Sequence, residues 1–171
     1  MTAPDTALVD RAYETARGHI GSTQEIPLGR LDERDLQRFA LVVGHTGAEY
    51  SSADAAADAG YPGLPAAPLY LTAVLGWEPG PPESELLADG NSPTPLGAVP
   101  VEGLRVMGGG QDLTFHEPVV AGAEILMRTV VHDVTRKDGR SGPMLVIEIH
   151  RSYVDAAGTL LVECRERFLA R

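Results

Sequence analysis

Long strand-like runs follow one another in the second half of the chain with only short turns between them. They span Glu124 to Val134, Met144 to Asp155 and Thr159 to Leu169. The turns contain Lys137-Asp138-Gly139 and Ala156-Ala157-Gly158. Connections this short join antiparallel neighbours, because a parallel pair needs a crossover of about a dozen residues or more. The pattern predicts an antiparallel sheet, and with the helical first half an α+β fold.

The first half of the chain has helical periodicity. Apolar residues at i, i+3, i+4 and i+7 predict a helix over Leu31 to Val43, with Asp32 as its N-cap and Gly44 at its end. A shorter amphipathic pattern predicts a helix over Asp5 to Arg17. We therefore interpret residues 1–30 as an N-terminal helical extension.

Two further helices are predicted before the sheet. One covers Asp54 to Ala59, and the other covers Leu69 to Leu75 and begins after Pro68. The second is apolar nearly all round, which is typical of a helix enclosed by other elements. From Pro79 to Pro100 the chain is rich in Pro, Gly and acidic residues, which predicts a long loop.

Length and charge limit the classes of protein that fit. The 171 residues are of ordinary size for one domain, so residues 1–171 are expected to form a single domain. A formal net charge of -10 and a pI near 4.8 argue against nucleic acid or an anionic membrane as partner. The lone Cys164 excludes an internal disulfide. Without a signal-like or membrane-spanning run, a cytoplasmic location is expected.

The second half also resembles a known family. The run GGGQDLTFHEPVVAGAEILMRTVVHDVTRKDGRSGPMLVIEIHRSYVDAAGTLLVECRERFLAR is similar to the core sheet of the MaoC-like hot dog dehydratases, specifically their divergent N-terminal-type, FAS1-like unit. An aromatic-His-x-Pro stretch, a Gly-acid turn and two glycine-containing hairpins carry the likeness. The matching positions are Phe115, His116, Pro118, Gly122, Lys137, Gly139, Arg140, Gly142, Tyr153, Asp155 and Gly158.

The resemblance covers roughly residues 30–171 and implies a hot dog fold. In that fold an antiparallel sheet wraps around a central helix, which we assign to Leu69 through Leu75. The sheet has apolar residues on both faces, for example Leu145 and Ile147 on one side and Met144 and Val146 on the other. A sheet of this kind must be covered on both faces. We therefore expect a homodimer, or a heterodimer with a second hot dog chain.

The resemblance also implies a catalytic pattern that this chain lacks. The resembled hydratases carry Gly-Asp-x-Asn-Pro-x-His-x-Asp after the helix assigned here to Leu31 through Val43. Their Asp and His activate water or take a proton alpha to a thioester carbonyl. Alignment on Gly44 places His45 at the position of the Asp and Tyr50 at the position of the His. Both family acid/base residues are therefore replaced.

Two explanations fit this replacement. The chain is the degenerate half of a two-subunit hydratase, or His45 with Tyr50 or Glu49 forms a substitute acid/base pair. Either way the resemblance implies a hydratase or dehydratase component for enoyl or 3-hydroxyacyl thioesters of CoA or an acyl carrier protein. The alternatives are thioester hydrolysis, using Glu49 or Asp54, and a non-catalytic acyl-binding subunit. The chemistry requires no metal or redox cofactor.

The remaining histidines are expected to play structural roles. His116 precedes Pro118 at the end of a strand, where a His usually fixes a turn, and it is a weaker catalytic candidate. His19, His132 and His150 stand apart in the sequence with no carboxylate or Cys at ligand spacing, so no metal site is expected.

Several residues are candidates for substrate binding. Tyr70 is a substrate-binding candidate, and Trp77 either lines an acyl pocket or belongs to the core. The glycines Gly109 and Gly110 precede a strand and allow close approach of a thioester arm or of a partner's sheet edge. Arg140 either meets the phosphates of the carrier or is a solvated hairpin charge.

Overall fold

Antiparallel strands and short helices make up the described part of the chain. The computed structural model describes residues 6–73, 82–86, 90, 99–101, 103–140 and 142–171. The helices are α1 (Thr6–Arg17), α2 (Glu33–Val42), α3 (Ala53–Asp58) and α4 (Tyr70–Ala73). The strands are β1 (Thr23–Arg30), β2 (Val106–Phe115), β3 (Glu124–Gly139), β4 (Gly142–Asp155) and β5 (Leu160–Ala170). They form one sheet in the order β1-β3-β4-β5-β2.

The two predicted hairpins build the centre of the sheet. β3 and β4 are paired down to Gly139 and Gly142, and β4 pairs with β5 along most of its length. In the second turn the Asp155 carboxylate accepts hydrogen bonds from the backbone N–H groups of Ala157 and Thr159, at 2.9 and 2.8 Å. These bonds, led by that of Thr159, lower the pKa of Asp155. The predicted antiparallel sheet and α+β class are confirmed.

The helix ends follow the capping signals in the sequence. Asp32 Oδ1 accepts a hydrogen bond from the N–H of Arg34 at the start of α2, and Ser52 Oγ accepts one from Ala55 at the start of α3. Gly44, two residues beyond α2, has a φ of 83°, a conformation that favours glycine.

The N-terminal extension is only partly helical, so the interpretation of residues 1–30 is corrected. α1 ends at Arg17, and β1 pairs with β3 at one edge of the sheet. Pro27 lacks a backbone donor and is tolerated because β1 is an edge strand, with its register shifting between Pro27 and Gly29. Leu28 is the one fully buried residue of this strand, so the sequence carried little strand periodicity.

In the part of the chain that the structure describes, helices pack against one face of the sheet, here called the inner face. α1 covers one end of it through Val9, Ala12 and Ala16, which pack with residues such as Ile147 and Ile149. The other end packs against α2, α4 and the segment before α4 in a second apolar cluster. No helix of the described part is long and apolar enough to cross a bilayer.

The opposite, outer face is mixed, with half-buried apolar residues beside charged ones. Met144 and Val146 are half-buried there, and they share β4 with Glu148 and His150. No large apolar side chain that the described structure exposes lies on β3, β4 or β5. The cross-strand neighbours of the half-buried residues include charged residues such as Lys137, which lies opposite Met144. The exposed large apolar side chains of the sheet lie instead on β2, at Met107 and Phe115.

The predicted central helix and long loop lie partly outside the described residues. α4 begins at Tyr70, because Leu69 has a φ of 72° and is not helical, and residues 74 and 75 are outside the described part. Tyr70 and Leu71 are buried, as expected of an enclosed helix. Within the predicted loop the described residues include a 3-10 turn at Glu83–Glu85 and a buried Val99.

Candidate functional site

A cavity of about 320 Å³ lies between the segment that leads into α4 and the end of β2. Apolar side chains and prolines form most of its wall, and three tyrosines, one threonine, one histidine and one glutamate supply the polar groups. The lining residues are Tyr50, Tyr61, Pro65, Ala66, Ala67, Pro68, Leu69, Tyr70, Leu71, Thr72, Leu113, Phe115, His116, Glu117, Pro118, Val119 and Val162. We refer to this space as the acyl cavity, after the acyl binding that the sequence resemblance leads us to expect.

Backbone hydrogen bonds hold the two walls of the acyl cavity together. Pro65 and Val120 form an isolated antiparallel bridge. Beside it the N–H of Ala66 donates to the carbonyl of Val119 at 2.7 Å, and the N–H of Ala121 donates to that of Leu64 at 2.9 Å. Because these bonds satisfy the backbone of both segments, the cavity is formed without a ligand.

The entrance to α4 is strained. Leu69 lies between Pro68 and Tyr70 with a φ of 72°, which costs a non-glycine residue about 1–3 kcal/mol. Its side chain is 47% exposed and lines the acyl cavity. Strain of this kind is concentrated at functional sites, and here it coincides with the cavity wall.

Tyr70 forms part of the wall from a buried position. Its ring packs edge-on against Phe39 of α2, with 5.2 Å between ring centres. Burial, with a smaller contribution from Asp35 and Asp32, raises the pKa of its phenol to about 12. The hydroxyl has no hydrogen-bond partner among the described residues. Tyr70, named from the sequence as a substrate-binding candidate, is buried and lies in the wall of this cavity.

His45 and Tyr50 lie side by side. Their ring centres are 5.2 Å apart at 57°. His45 lines a second cavity of about 540 Å³, which also contains Arg34 and Arg38, and Tyr50 lines both cavities. Burial, then Tyr61 and Glu49, raise the pKa of Tyr50, so its hydroxyl is a donor at neutral pH. His45 is not among the residues of the acyl cavity.

His116 reaches the acyl cavity with a carboxylate behind it. A ring nitrogen, Nε2, lies 2.9 Å from Glu163 Oε2, a residue of β5 that is 47 positions away. The backbone N–H of His116 also donates a hydrogen bond to the backbone carbonyl of Leu161 at 2.9 Å. The structural role expected for His116 is compatible with these bonds, and Glu163 is a partner that sequence reasoning missed because only strand pairing brings it close.

The other sequence candidates lie elsewhere. Gly109 and Gly110 do not precede a strand: they lie within β2, at its bulge, where a Cβ on Gly109 would be 3.0 Å from the Arg167 carbonyl oxygen. Gly109 allows close contact with β5, and Gly110 has a φ of 106°, a conformation that favours glycine. Arg140 is exposed at the β3–β4 turn, away from both cavities, and Trp77 lies outside the described residues.

The acids considered for thioester hydrolysis do not face the cavities. Neither Glu49 nor Asp54 is among the residues that line the acyl cavity or the second cavity. The Glu49 carboxylate lies over Gly47, where an added Cβ would be 2.4 Å from it. The geometry therefore gives no support to either acid as a hydrolytic base.

The expectation that His132 and His150 are isolated is wrong. Strand pairing stacks the two rings with 3.9 Å between their centres, and Glu148 lies beside both. No spacing rule along the chain detects this group, because a β-bulge and a strand pairing create it.

Comparison with family models gives one match that covers most of the chain. Residues 19–164 match the FAS1-like dehydratase domain region. No curated protein sequence matches the chain.

Solved structures extend the comparison to the fold. The ChsH1–ChsH2 complex from Mycobacterium tuberculosis matches with a TM-score of 0.71 at 18% identity, covering 96% of this chain and 92% of that one. The HadBC (3R)-hydroxyacyl-ACP dehydratase complex from the same organism gives 0.63 at 19%, covering 88% and 96%. A MaoC-like dehydratase from Rhodospirillum rubrum gives 0.62 at 17%, covering 88% and 90%. The hot dog fold implied by the sequence resemblance is confirmed.

Proposed function

Because the chain belongs to the FAS1-like dehydratase domain family, we propose that it is a hydratase or dehydratase component for enoyl and 3-hydroxyacyl thioesters. In this proposal it is the divergent, acyl-binding member of a two-hot-dog assembly. The reaction is the reversible addition of water across a double bond conjugated to the thioester, with the carrier being CoA or an acyl carrier protein.

The acyl cavity is the observation on which the proposal rests. Its volume of about 320 Å³ is within the range of small-molecule sites, and its wall is mostly apolar. Leu113, Val119 and Val162 offer contacts to an alkyl chain. Tyr50 lines both this cavity and the neighbouring one, so a thioester that extends through both passes its hydroxyl.

Tyr50 is suited to hold the thioester carbonyl. Its raised pKa keeps the phenol protonated at neutral pH, so it donates a hydrogen bond to an oxygen that gains negative charge as the alpha carbon is deprotonated. Arg34 and Arg38 in the second cavity are suited to the anionic groups of the carrier. This chain thereby positions the substrate and stabilises charge.

Proton transfer is assigned to the second subunit. The family Asp and His are replaced by His45 and Tyr50, and His45 faces the second cavity away from the acyl wall. The imidazole of His116 is held by Glu163. Because the dehydration requires a base and an acid near the alpha and beta carbons, an Asp–His pair from a partner completes the site.

The free edge of β2 is the surface proposed for that partner. β2 has 10 residues and pairs only with β5, so its other edge is open in the described part of the chain. Met107 is 37% exposed on this strand and Phe115 is 55% exposed. A long edge strand with unpaired backbone groups on one side invites strand pairing with a second chain. Two of the matched structures are two-chain complexes.

Binding of acyl-CoA by the purified chain tests the proposal. Calorimetric titration with saturated acyl-CoA of increasing chain length is expected to show affinity that increases with acyl length, since each buried CH₂ contributes about 0.8 kcal/mol. Thr72→Trp, which fills the cavity wall, is expected to weaken binding at least about tenfold.

Thr15→Trp is the matched control. Both threonines donate their hydroxyl to a backbone carbonyl of the preceding turn, Thr72 to Leu69 and Thr15 to Arg11, but Thr15 lies on α1 away from the acyl cavity. Equal affinities for all chain lengths, or equal effects of the two variants, would contradict the proposal.

A further inference from the structure

The outer face of the sheet carries a cluster of metal-ligating side chains that the proposed reaction does not use. His132 of β3 and Glu148 and His150 of β4 each place one ligand atom within 4.8 Å of the others. None of the three lines the acyl cavity or the second cavity. We call them the outer-face triad.

A β-bulge brings the triad together. Val131 pairs with Ile149 and Asp133 pairs with Glu148, so His132 is the extra residue between two consecutive pairs. The bulge leaves His132 on the same face as His150, and the two imidazoles stack with a 12° angle between their planes. The arrangement is thus fixed by backbone pairing and does not depend on a mobile loop.

The three ligand atoms have separations that suit a cation. Glu148 Oε1 lies 2.7 Å from His150 Nε2 and 4.0 Å from His132 Nε2. Tetrahedral Zn²⁺ with bonds of about 2.0–2.1 Å holds its ligand atoms roughly 3.3 Å apart, between these two values. An ion shared by all three residues requires the exposed His132 ring to rotate out of the stack, because the lone pairs of stacked imidazoles lie in separate, nearly parallel planes.

The surroundings hold Glu148 in place for this role. Its second oxygen, Oε2, lies 3.8 Å from Arg167 Nε, and the same guanidinium is neutralised by Asp112 at 2.7 Å. Asp133 lies opposite Glu148 in the strand register and adds a second negative charge nearby. One carboxylate oxygen of Glu148 therefore lies near a guanidinium, and the other lies near two imidazoles.

We propose that the outer-face triad is a binding site for a first-row divalent cation, with Zn²⁺ as the favoured ion. Two imidazoles and one carboxylate are a common zinc donor set, and water completes the coordination because His132 is exposed on its solvent side. The bound ion links β3 to β4 and stabilises the sheet. The site is independent of the thioester reaction.

Cobalt is the spectroscopic probe for this site. Untagged, chelator-treated protein titrated with Co²⁺ is expected to develop visible absorption bands at a single equivalent, and Zn²⁺ is expected to abolish them. Saturating Zn²⁺ is expected to raise the melting temperature, because an ion that binds only the folded state stabilises it. His150→Ala and Glu148→Gln should each weaken binding more than about tenfold, since even outer-shell partners of metal ligands contribute that much.

His116→Ala is the control, because His116 also has a carboxylate 2.9 Å away but no third ligand among the described residues. It is expected to bind Co²⁺ like the original protein. Melting curves of each variant without metal separate loss of the site from loss of the fold. An original protein with no absorption bands at excess Co²⁺, or triad variants that bind as tightly as His116→Ala, would overturn the proposal.

Discussion

A row of polar side chains divides the apolar inner face of the sheet. Thr129 of β3 lies opposite Arg151 of β4, and both are buried. Arg151 forms an ion pair with Glu166 of β5. The row lies between the cluster under α1 and the cluster under α2 and α4. A buried charge needs a partner, so Glu166 is the residue that makes Arg151 tolerable in this position.

Removing the negative charge of Glu166 should therefore lower the free energy of unfolding by much more than removing a charge at the surface. Glu166→Gln leaves Arg151, whose side chain is 9% exposed, without a compensating charge, and is expected to lower the free energy of unfolding by about 3 kcal/mol or more. Asp112→Asn breaks the ion pair with Arg167, whose side chain is 47% exposed, and should cost less than about 1 kcal/mol. Urea unfolding of both variants measures this, and equal losses would contradict the assignment.

Tyr153 gives a prediction about pH. Burial raises the pKa of its phenol to about 12, whereas an unfolded tyrosine ionises near pH 10. The folded state holds the proton more tightly, so this contribution to stability is present below about pH 10 and is lost as the pH rises through about 12.

The variant Tyr153→Phe tests this direction of the pH dependence of stability. The hydroxyl is buried without a hydrogen-bond partner in the described part of the chain, so its removal should change stability at pH 7 by no more than about 1 kcal/mol. Urea unfolding from pH 7 to 11 is expected to show a smaller loss of stability at high pH for Tyr153→Phe than for the original chain. Parallel pH curves would refute the assignment.

At the scale of elements, the packing of β2 against β5 explains why β2 contains a glycine at position 109. A Cβ on Gly109 would lie 3.0 Å from the backbone oxygen of Arg167, whereas nothing lies within 4 Å of one on Gly108. Gly109→Ala is therefore expected to lower the melting temperature through a loss of about 1–3 kcal/mol, and Gly108→Ala to change stability by about 0.5 kcal/mol or less. Similar melting temperatures for the two variants would show that the strand adjusts without strain.

Elements with local signals could be predicted from the sequence. Asp32 and Ser52 cap helices where expected, and the hairpins turn at their predicted glycines, because these features depend on residues only a few positions apart. β1 could not be predicted in this way. It contains Pro27 and Gly29, and its pairing with β3 depends on residues about a hundred positions along the chain.

Individual residues of the candidate site could be named from the sequence, but the contacts between them could not be predicted. Tyr50, Tyr70 and His116 were each named from the sequence for separate reasons, and the fold brings all three to one cavity. The contact of His116 with Glu163 and the stack of His132 on His150 depend on strand register, which periodicity alone does not specify. Gly109 and Gly110 were named because of the glycine content of their segment, and in the structure they lie at the bulge of β2.

At the scale of the whole molecule, the open edge of β2 predicts an assembly. Met107→Glu places a charge on this edge, at a side chain that is 37% exposed, and is expected to shift the mass in solution toward the single chain. Ile20→Glu, at a 46% exposed position outside β2, is the matched control and should leave the mass unchanged. Light scattering after size-exclusion chromatography measures both, and identical masses for the two variants would contradict the use of this edge.

The central claim is that this chain binds the acyl thioester while a second hot dog chain supplies the acid/base pair. The test is an assay of enoyl-CoA hydration, in which the loss of the conjugated absorbance of the substrate is measured. The assay is run with this chain alone and with this chain co-purified with a hot dog chain from the same genome that carries the Asp–His pair. The account predicts turnover only in the complex, with rates that His45→Ala leaves nearly unchanged. Full turnover by this chain alone, reduced roughly a hundredfold or more by His45→Ala or Tyr50→Phe, would contradict it.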